Sequence, residues 1–146
     1  MTGQAQQPAV ARVWAWQRPG AQTAGEARTA VRAALAGWGI ASVAGDVTVM
    51  VSELVTNACV HGAAPVELTL QLAQYSGGWA LVCEVTDAGT GIPALTASWP
   101  GGEHGRGLAI VAALADAFGV RPLPRGKTVW FRVVLPAQPD SGAVAA

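Results

Sequence analysis

With 146 residues, 51% of them hydrophobic and 12% charged, the chain is sized for one domain with one core. Its formal net charge of zero gives no electrostatic footprint for nucleic acid or an anionic membrane surface. No apolar run approaches the roughly 20 residues needed to span a bilayer, and Met1 to Ala9 lacks the charged-then-apolar layout of a signal peptide, so a cytoplasmic location is expected.

Met1 to Ala9 is small and polar, and residues 137–146 lack hydrophobic periodicity. Both ends are expected to be disordered tails around one domain at residues 10–136. Arg12-Val13-Trp14-Ala15-Trp16 alternates as a short strand, closed by Pro19-Gly20. From Thr23 to Trp38 the apolar residues Ala27, Val31, Ala34, Leu35 and Trp38 recur at helical spacing, and Gly37 and Gly39 supply a stop. Arg28 and Arg32 lie four apart on that helix, as a solvated stripe or a partner-facing pair. A second helix runs from Ser42, the expected N-cap, to His61, with Gly62 as its exit. Val47, Val51, Leu54 and Ala58 form its apolar stripe. Asp46, Met50, Glu53, Asn57 and His61 fall on the adjacent one, so Glu53 and Asn57 face a common space.

Pro65 to Ala73 and Gly78 to Asp87 alternate as the two strands of a hairpin across Ser76-Gly77-Gly78. Leu81, Cys83, Val85 and Asp87 share one strand face, so Asp87 ends a core-facing row, where a carboxylate needs a partner. Cys59 and Cys83 stand alone in apolar segments and read as buried free thiols. The stretch from Thr90 to His104, with Pro93, Pro100 and Gly101-Gly102, reads as a long irregular loop of the kind that carries function. A helix is expected from Arg106 to Phe118, burying Leu108, Val111, Ala112, Leu114 or Ala115, and Phe118, with Gly119 as its cap. The final strand, Thr128 to Leu135, alternates Val129, Phe131, Val133 and Leu135 against Thr128, Trp130, Arg132 and Val134. This order of elements predicts an α+β arrangement, with helices packed over a mostly antiparallel sheet.

Three clusters at the ends of these elements carry the chemistry. Glu53 and Asn57 put a proton acceptor and an amide oxygen one helical turn apart, suited to a base and to a ligand for a hard cation such as Mg²⁺. Asp87-Ala88-Gly89-Thr90-Gly91 and Gly105-Arg106-Gly107-Leu108 are glycine clusters that bring backbone N–H groups close to phosphate.

VSELVTNACVHG resembles the N box, VTDAGTGIP the G1 box and HGRGLAIV the G2 box of the GHKL ATPases, specifically the small bacterial anti-sigma factor serine/threonine kinases. The resemblance covers Ala11 to Pro136. It implies the two-layer α/β sandwich called the Bergerat, or histidine kinase-like ATPase, fold, with helices covering one face of the sheet. It further implies ATP and Mg²⁺ as cofactors, Asn57 as the metal ligand, Glu53 as the general base and Asp87 as acceptor for the adenine amino group. Gly89 and Gly91 would turn beneath the base, and Gly105, Arg106, Gly107 and Leu108 would open the last helix under the phosphates. Residues 93–104 would be the ATP lid, with Trp99 as a candidate partner or nucleotide contact and His104 as a solvated residue. Arg106 would contact phosphate or a partner. Thr128 matches the family's adenine-assisting threonine. Strict alternation sets Thr128 opposite the apolar row, so it reaches the pocket only if that row faces away or the strand is bulged. His61 matches a family histidine, and equally suits a helix C-terminus.

The function this implies is phosphorylation of a serine on an anti-sigma factor antagonist, with a sigma factor as second partner, in bacterial partner switching. The absence of a preceding phospho-acceptor hairpin sets the expectation of a standalone serine kinase rather than a sensor histidine kinase. Trp14, Trp16 and Trp130 suit a homodimer or sigma-factor interface. Two other functions are compatible: a non-catalytic binding module gated by nucleotide, and a nucleotide-free adaptor.

Overall fold

A computed structural model of the chain describes residues 8–90 and 103–136. Strand β1 (Pro8–Trp16) leads into helix α1 (Thr23–Gly37). A 3₁₀ turn at Ala41–Val43 runs directly into helix α2 (Ala44–His61). Strands β2 (Val66–Tyr75) and β3 (Gly78–Asp87) follow, then helix α3 (Glu103–Leu114) and strands β4 (Ala117–Leu123) and β5 (Gly126–Val134). The five strands form one sheet in the order β1-β2-β3-β5-β4, and every described pairing is antiparallel. This is the expected α+β architecture.

The period of two in the sequence sets the two faces of the sheet. Val66, Leu68, Leu70 and Leu72 of β2 are fully buried, as are Leu81 and Cys83 of β3 and Phe131 of β5. These rows meet Val31 and Leu35 of α1, Val47, Val51, Leu54 and Val55 of α2, and Leu108 and Val111 of α3 in one apolar cluster. Full burial of each such aliphatic side chain contributes about 1.5–3 kcal/mol. Residues one step out of phase, such as Val13 and Val134, stay exposed on the other face. The β2–β3 hairpin closes on Ser76 and Gly77, both at positive φ (49° and 79°), as a two-residue turn whose twist matches its strands.

Some details depart from the sequence expectation. Ser42 lies inside the 3₁₀ turn, so Val43 takes the N-cap position of α2 without a side-chain bond. Met50, expected on the polar stripe of α2, is fully buried. By length and mean hydropathy (21 residues, 1.3), Ala41–His61 also passes as a bilayer-spanning segment, contrary to the reading of the sequence. Its apolar residues are nevertheless those of a helix packed between α1, α3 and the sheet.

The largest difference follows α3. The helix ends at Leu114 instead of Phe118, and Phe118 pairs with Phe131 in β4. Asp116 explains the change of direction, because its N–H donates to the Arg132 carbonyl and its carboxylate accepts from the Val134 N–H. Gly119, expected as a helix cap, lies across from Trp130, where a Cβ would meet the indole at 3.0–3.1 Å. Ala112 is exposed, as is Leu114 at 36%, while Ala115 is half-buried.

Candidate functional site

The site is built where α2 and β3 end and β5 begins. Asp87 is the last residue of β3, and its side chain is only 2% exposed. A charge so buried requires donors. Its Oδ1 accepts from the N–H of Gly89 at 2.7 Å, from the N–H of Ala63 at 3.3 Å and from Nζ of Lys127 at 3.0 Å. The Ala88 N–H donates to the Ala63 carbonyl at 2.9 Å, tying the segment after β3 to the segment after α2.

Three glycines make room for this arrangement. A Cβ on Gly62, the residue that ends α2, would overlap the Asp87 carboxylate. One on Gly89 would lie 3.0 Å from Asp87 Oδ1 and 3.0 Å from the Gly62 Cα. Gly126 opens β5 at φ +134°, where a Cβ would overlap the Asp87 carbonyl oxygen. Gly89 therefore serves both as a donor to the carboxylate and as a point of close backbone approach.

Sequence reasoning missed Lys127. The β3–β5 register is continuous from Ala80↔Val134 to Asp87↔Lys127, so the two charged residues are direct cross-strand neighbours on the helix-facing side. The side chain of Lys127 is 7% exposed, which makes this a buried ion pair. The same register corrects the expectation for Thr128. With no bulge, Thr128 lies across from Thr86, and the two hydroxyl oxygens are 2.7 Å apart on the face turned away from Asp87. The side chain that shares the face of Asp87 is that of residue 127. The signal was present in the sequence, since a lone lysine starts the Val129, Phe131, Val133 row just as Asp87 ends its own.

On α2, Glu53 and Asn57 are half-buried, one turn apart, and lie toward the exposed arc of a helix whose opposite face is core. Ser52, beside Glu53, accepts from the Arg28 guanidinium at 2.9 Å, so Arg28 ties α1 to α2, while Arg32 is exposed. Cys59 is partly buried near the same end of α2. Its thiol is pushed up from the ordinary 9.0 by desolvation, with a hydrogen bond to Thr23 opposing and the Asp87 charge adding to the rise. His61 is exposed in the last turn of α2, where a cation suits the helix dipole.

Helix α3 begins at Glu103, three residues before the expected start. Gly105 and Arg106 therefore lie in its first turn, among the backbone N–H groups without an intrahelical partner, and Gly107 and Leu108 follow. Leu108 is buried in the core at 2% exposure, which anchors this end of the helix. Gly91 and residues 93–102 of the expected lid at 93–104, with Trp99, lie outside the described residues, as do the side chains of His104 and Arg106.

The donor set fits a nucleotide with a hard cation. Asp87 offers a fixed acceptor, the α3 N-terminus offers amides for anions, and Asn57 offers one amide oxygen. Among the described residues no group of three or more His, Cys, Asp or Glu forms a metal cage. A single side-chain oxygen of this kind would suit magnesium shared with a nucleotide's phosphates.

The histidine kinase-like ATPase domain family model matches residues 17–133. Among solved structures, the chain is similar to the histidine kinase domain of the Erythrobacter litoralis EL346 blue-light activated histidine kinase, with a TM-score of 0.51 and 25% sequence identity. That match covers 84% of this chain and 63% of the other, so the chain spans less than two thirds of that domain's length. Comparison with curated proteins finds no match.

Proposed function

The chain belongs to the histidine kinase-like ATPase domain family, and from that premise we propose that it is an ATP- and Mg²⁺-dependent protein serine/threonine kinase of the anti-sigma factor type. Its substrate is a serine on a small anti-sigma factor antagonist, and a sigma factor is its second protein partner. The single observation that carries the nucleotide site is the buried Asp87 carboxylate, whose Oδ1 is fixed by three N–H donors at the junction of α2, β3 and β5.

In this reading Asp87 accepts a hydrogen bond from the adenine amino group. Glu53 takes the proton of the attacking hydroxyl, and Asn57, one turn on, supplies an oxygen to the metal. The backbone amides at the start of α3 hold the phosphate chain. Asn57 would hold magnesium together with the nucleotide's phosphates, and the ion would supply charge stabilisation for phosphoryl transfer. The likeness to a histidine kinase domain supports ATP use, while the resemblance of VSELVTNACVHG to the N box of the anti-sigma factor kinases favours serine as acceptor. The test is transfer of label from γ-labelled ATP to serine on antagonist proteins encoded in the same genome. Phosphoserine formed by the parent and absent with Glu53→Ala supports the kinase. Nucleotide binding with regulation of a partner undiminished in Glu53→Ala would replace it with a nucleotide-gated binding module.

A further inference from the structure

We propose that Lys127 determines purine specificity, by keeping Asp87 an acceptor so that the site takes a 6-amino purine nucleotide and rejects a 6-oxo one. The assignment rests on the nucleotide reading above and adds a positioning residue to it. It is drawn from the buried cross-strand pair itself, in which Lys127 Nζ lies 3.0 Å from Asp87 Oδ1 and the two side chains are 7% and 2% exposed.

All three bonds described at Oδ1 run toward the oxygen, from Gly89, Ala63 and Lys127. Two of the donors are backbone amides, whose direction cannot reverse. Lys127 is the only side-chain donor of the three and the only one that brings a full charge. A carboxylate in this state can receive a hydrogen bond from an exocyclic amine such as adenine N6, and it repels the carbonyl oxygen that hypoxanthine or guanine carries at the same place. With Lys127 removed, the two amides remain, but the buried negative charge loses its one described ion pair. A buried acid in that position neutralises by taking up a proton. A neutral carboxyl group is both donor and acceptor, so its O–H can be given to a 6-oxo group and the discrimination is lost.

The packing restricts other solutions. Gly62, Gly89 and Gly126 close around Asp87, with no space for an added Cβ at Gly62 or Gly126. Among the described ion pairs Lys127 is the only cation on Asp87, and Arg121, the basic residue of β4, is paired with Glu84 at 3.3 Å on the opposite face of the sheet. The described interactions thus leave the choice between acceptor-only and donor-plus-acceptor to Lys127.

The experiment is competition of ATP and inosine triphosphate, each with Mg²⁺, for the site of the full chain, in the parent and in Lys127→Met. Lys127→Gln is carried alongside, since it keeps a donor to Oδ1 while removing the charge and tolerates burial if the methionine variant fails to fold. The parent is expected to prefer ATP by at least about tenfold, and the variants to bring the two nucleotides within about threefold of each other, since a single misplaced donor or acceptor is worth at least a factor of that size. A purely structural lysine would weaken both nucleotides equally, and an unchanged preference in a folded variant overturns the assignment. A parent that binds neither nucleotide overturns the nucleotide reading itself, and this assignment with it.

Discussion

Gly62 lies so close to Asp87 that no side chain fits between the exit of α2 and the carboxylate at the end of β3. The end of the helix that carries Glu53 and Asn57 is thereby set directly against the proposed adenine acceptor, and the Ala63 and Ala88 hydrogen bonds tie the two segments together. The relationship ties the chemistry on α2 to the recognition on β3.

Gly62→Ala should therefore disturb both. The added methyl has to displace either the carboxylate or the end of α2, a strain on the order of 1–3 kcal/mol. The expected result is a lower melting temperature together with at least a tenfold loss of ATP affinity, measured by thermal denaturation and titration.

The Asp87–Lys127 pair predicts an asymmetry in stability. Lys127→Met leaves a buried carboxylate without its cation and should cost about 3–5 kcal/mol, whereas the double variant Asp87→Asn with Lys127→Met removes both charges and should recover most of that loss. Urea unfolding of the parent, the single and the double variant measures it.

Glu53 is half-buried at the edge of the polar arc of α2 and takes no part in the described core. Glu53→Gln should leave unfolding within about 0.5 kcal/mol of the parent. It should keep nucleotide binding and reduce phosphoryl transfer by about 10²–10⁴-fold, the contribution usual for a general base. Loss of binding in the same proportion would remove Glu53 from that role.

The Cys83 thiol, fully buried in β3, is pushed far above its ordinary 9.0 by desolvation, with the Glu84 charge adding to the rise. Above about pH 9 the unfolded chain releases this proton and the folded chain keeps it, so stability present below that pH declines as pH rises, by up to about 1.4 kcal/mol per unit. Cys83→Ala should be less stable than the parent at pH 7 and yet show a shallower alkaline decline. A thiol reagent at pH 8 should modify Cys83 only after unfolding.

Much of this architecture was legible because periodicity is a local property. The hairpin strand Gly78–Asp87 and the helix starting at Thr23 stand where alternation and helical spacing place them. The end of α3 was not legible, since Leu108, Val111, Ala115 and Phe118 fit a helix as well as they fit a helix followed by a strand. What separates the two is the contact of Asp116 with the Arg132 and Val134 backbone, which is distant in sequence. The partner of Asp87 failed for the same reason: the need for one was evident from alternation, but Lys127 is found only from the β3–β5 register. Thr128 shows the converse: alternation alone set it opposite the Val129 row, and the unbroken β3–β5 register keeps it there.

Isothermal titration with ATP and Mg²⁺ shows whether Asp87 is the nucleotide acceptor, using the parent and the double variant Asp87→Asn with Lys127→Met, which removes the carboxylate without stranding a buried cation. Saturable binding by the parent that is lost or weakened by at least about 1.4 kcal/mol, a factor of ten, in the folded variant is the result this account predicts. Equal binding by the two proteins, or none by the parent, would contradict it.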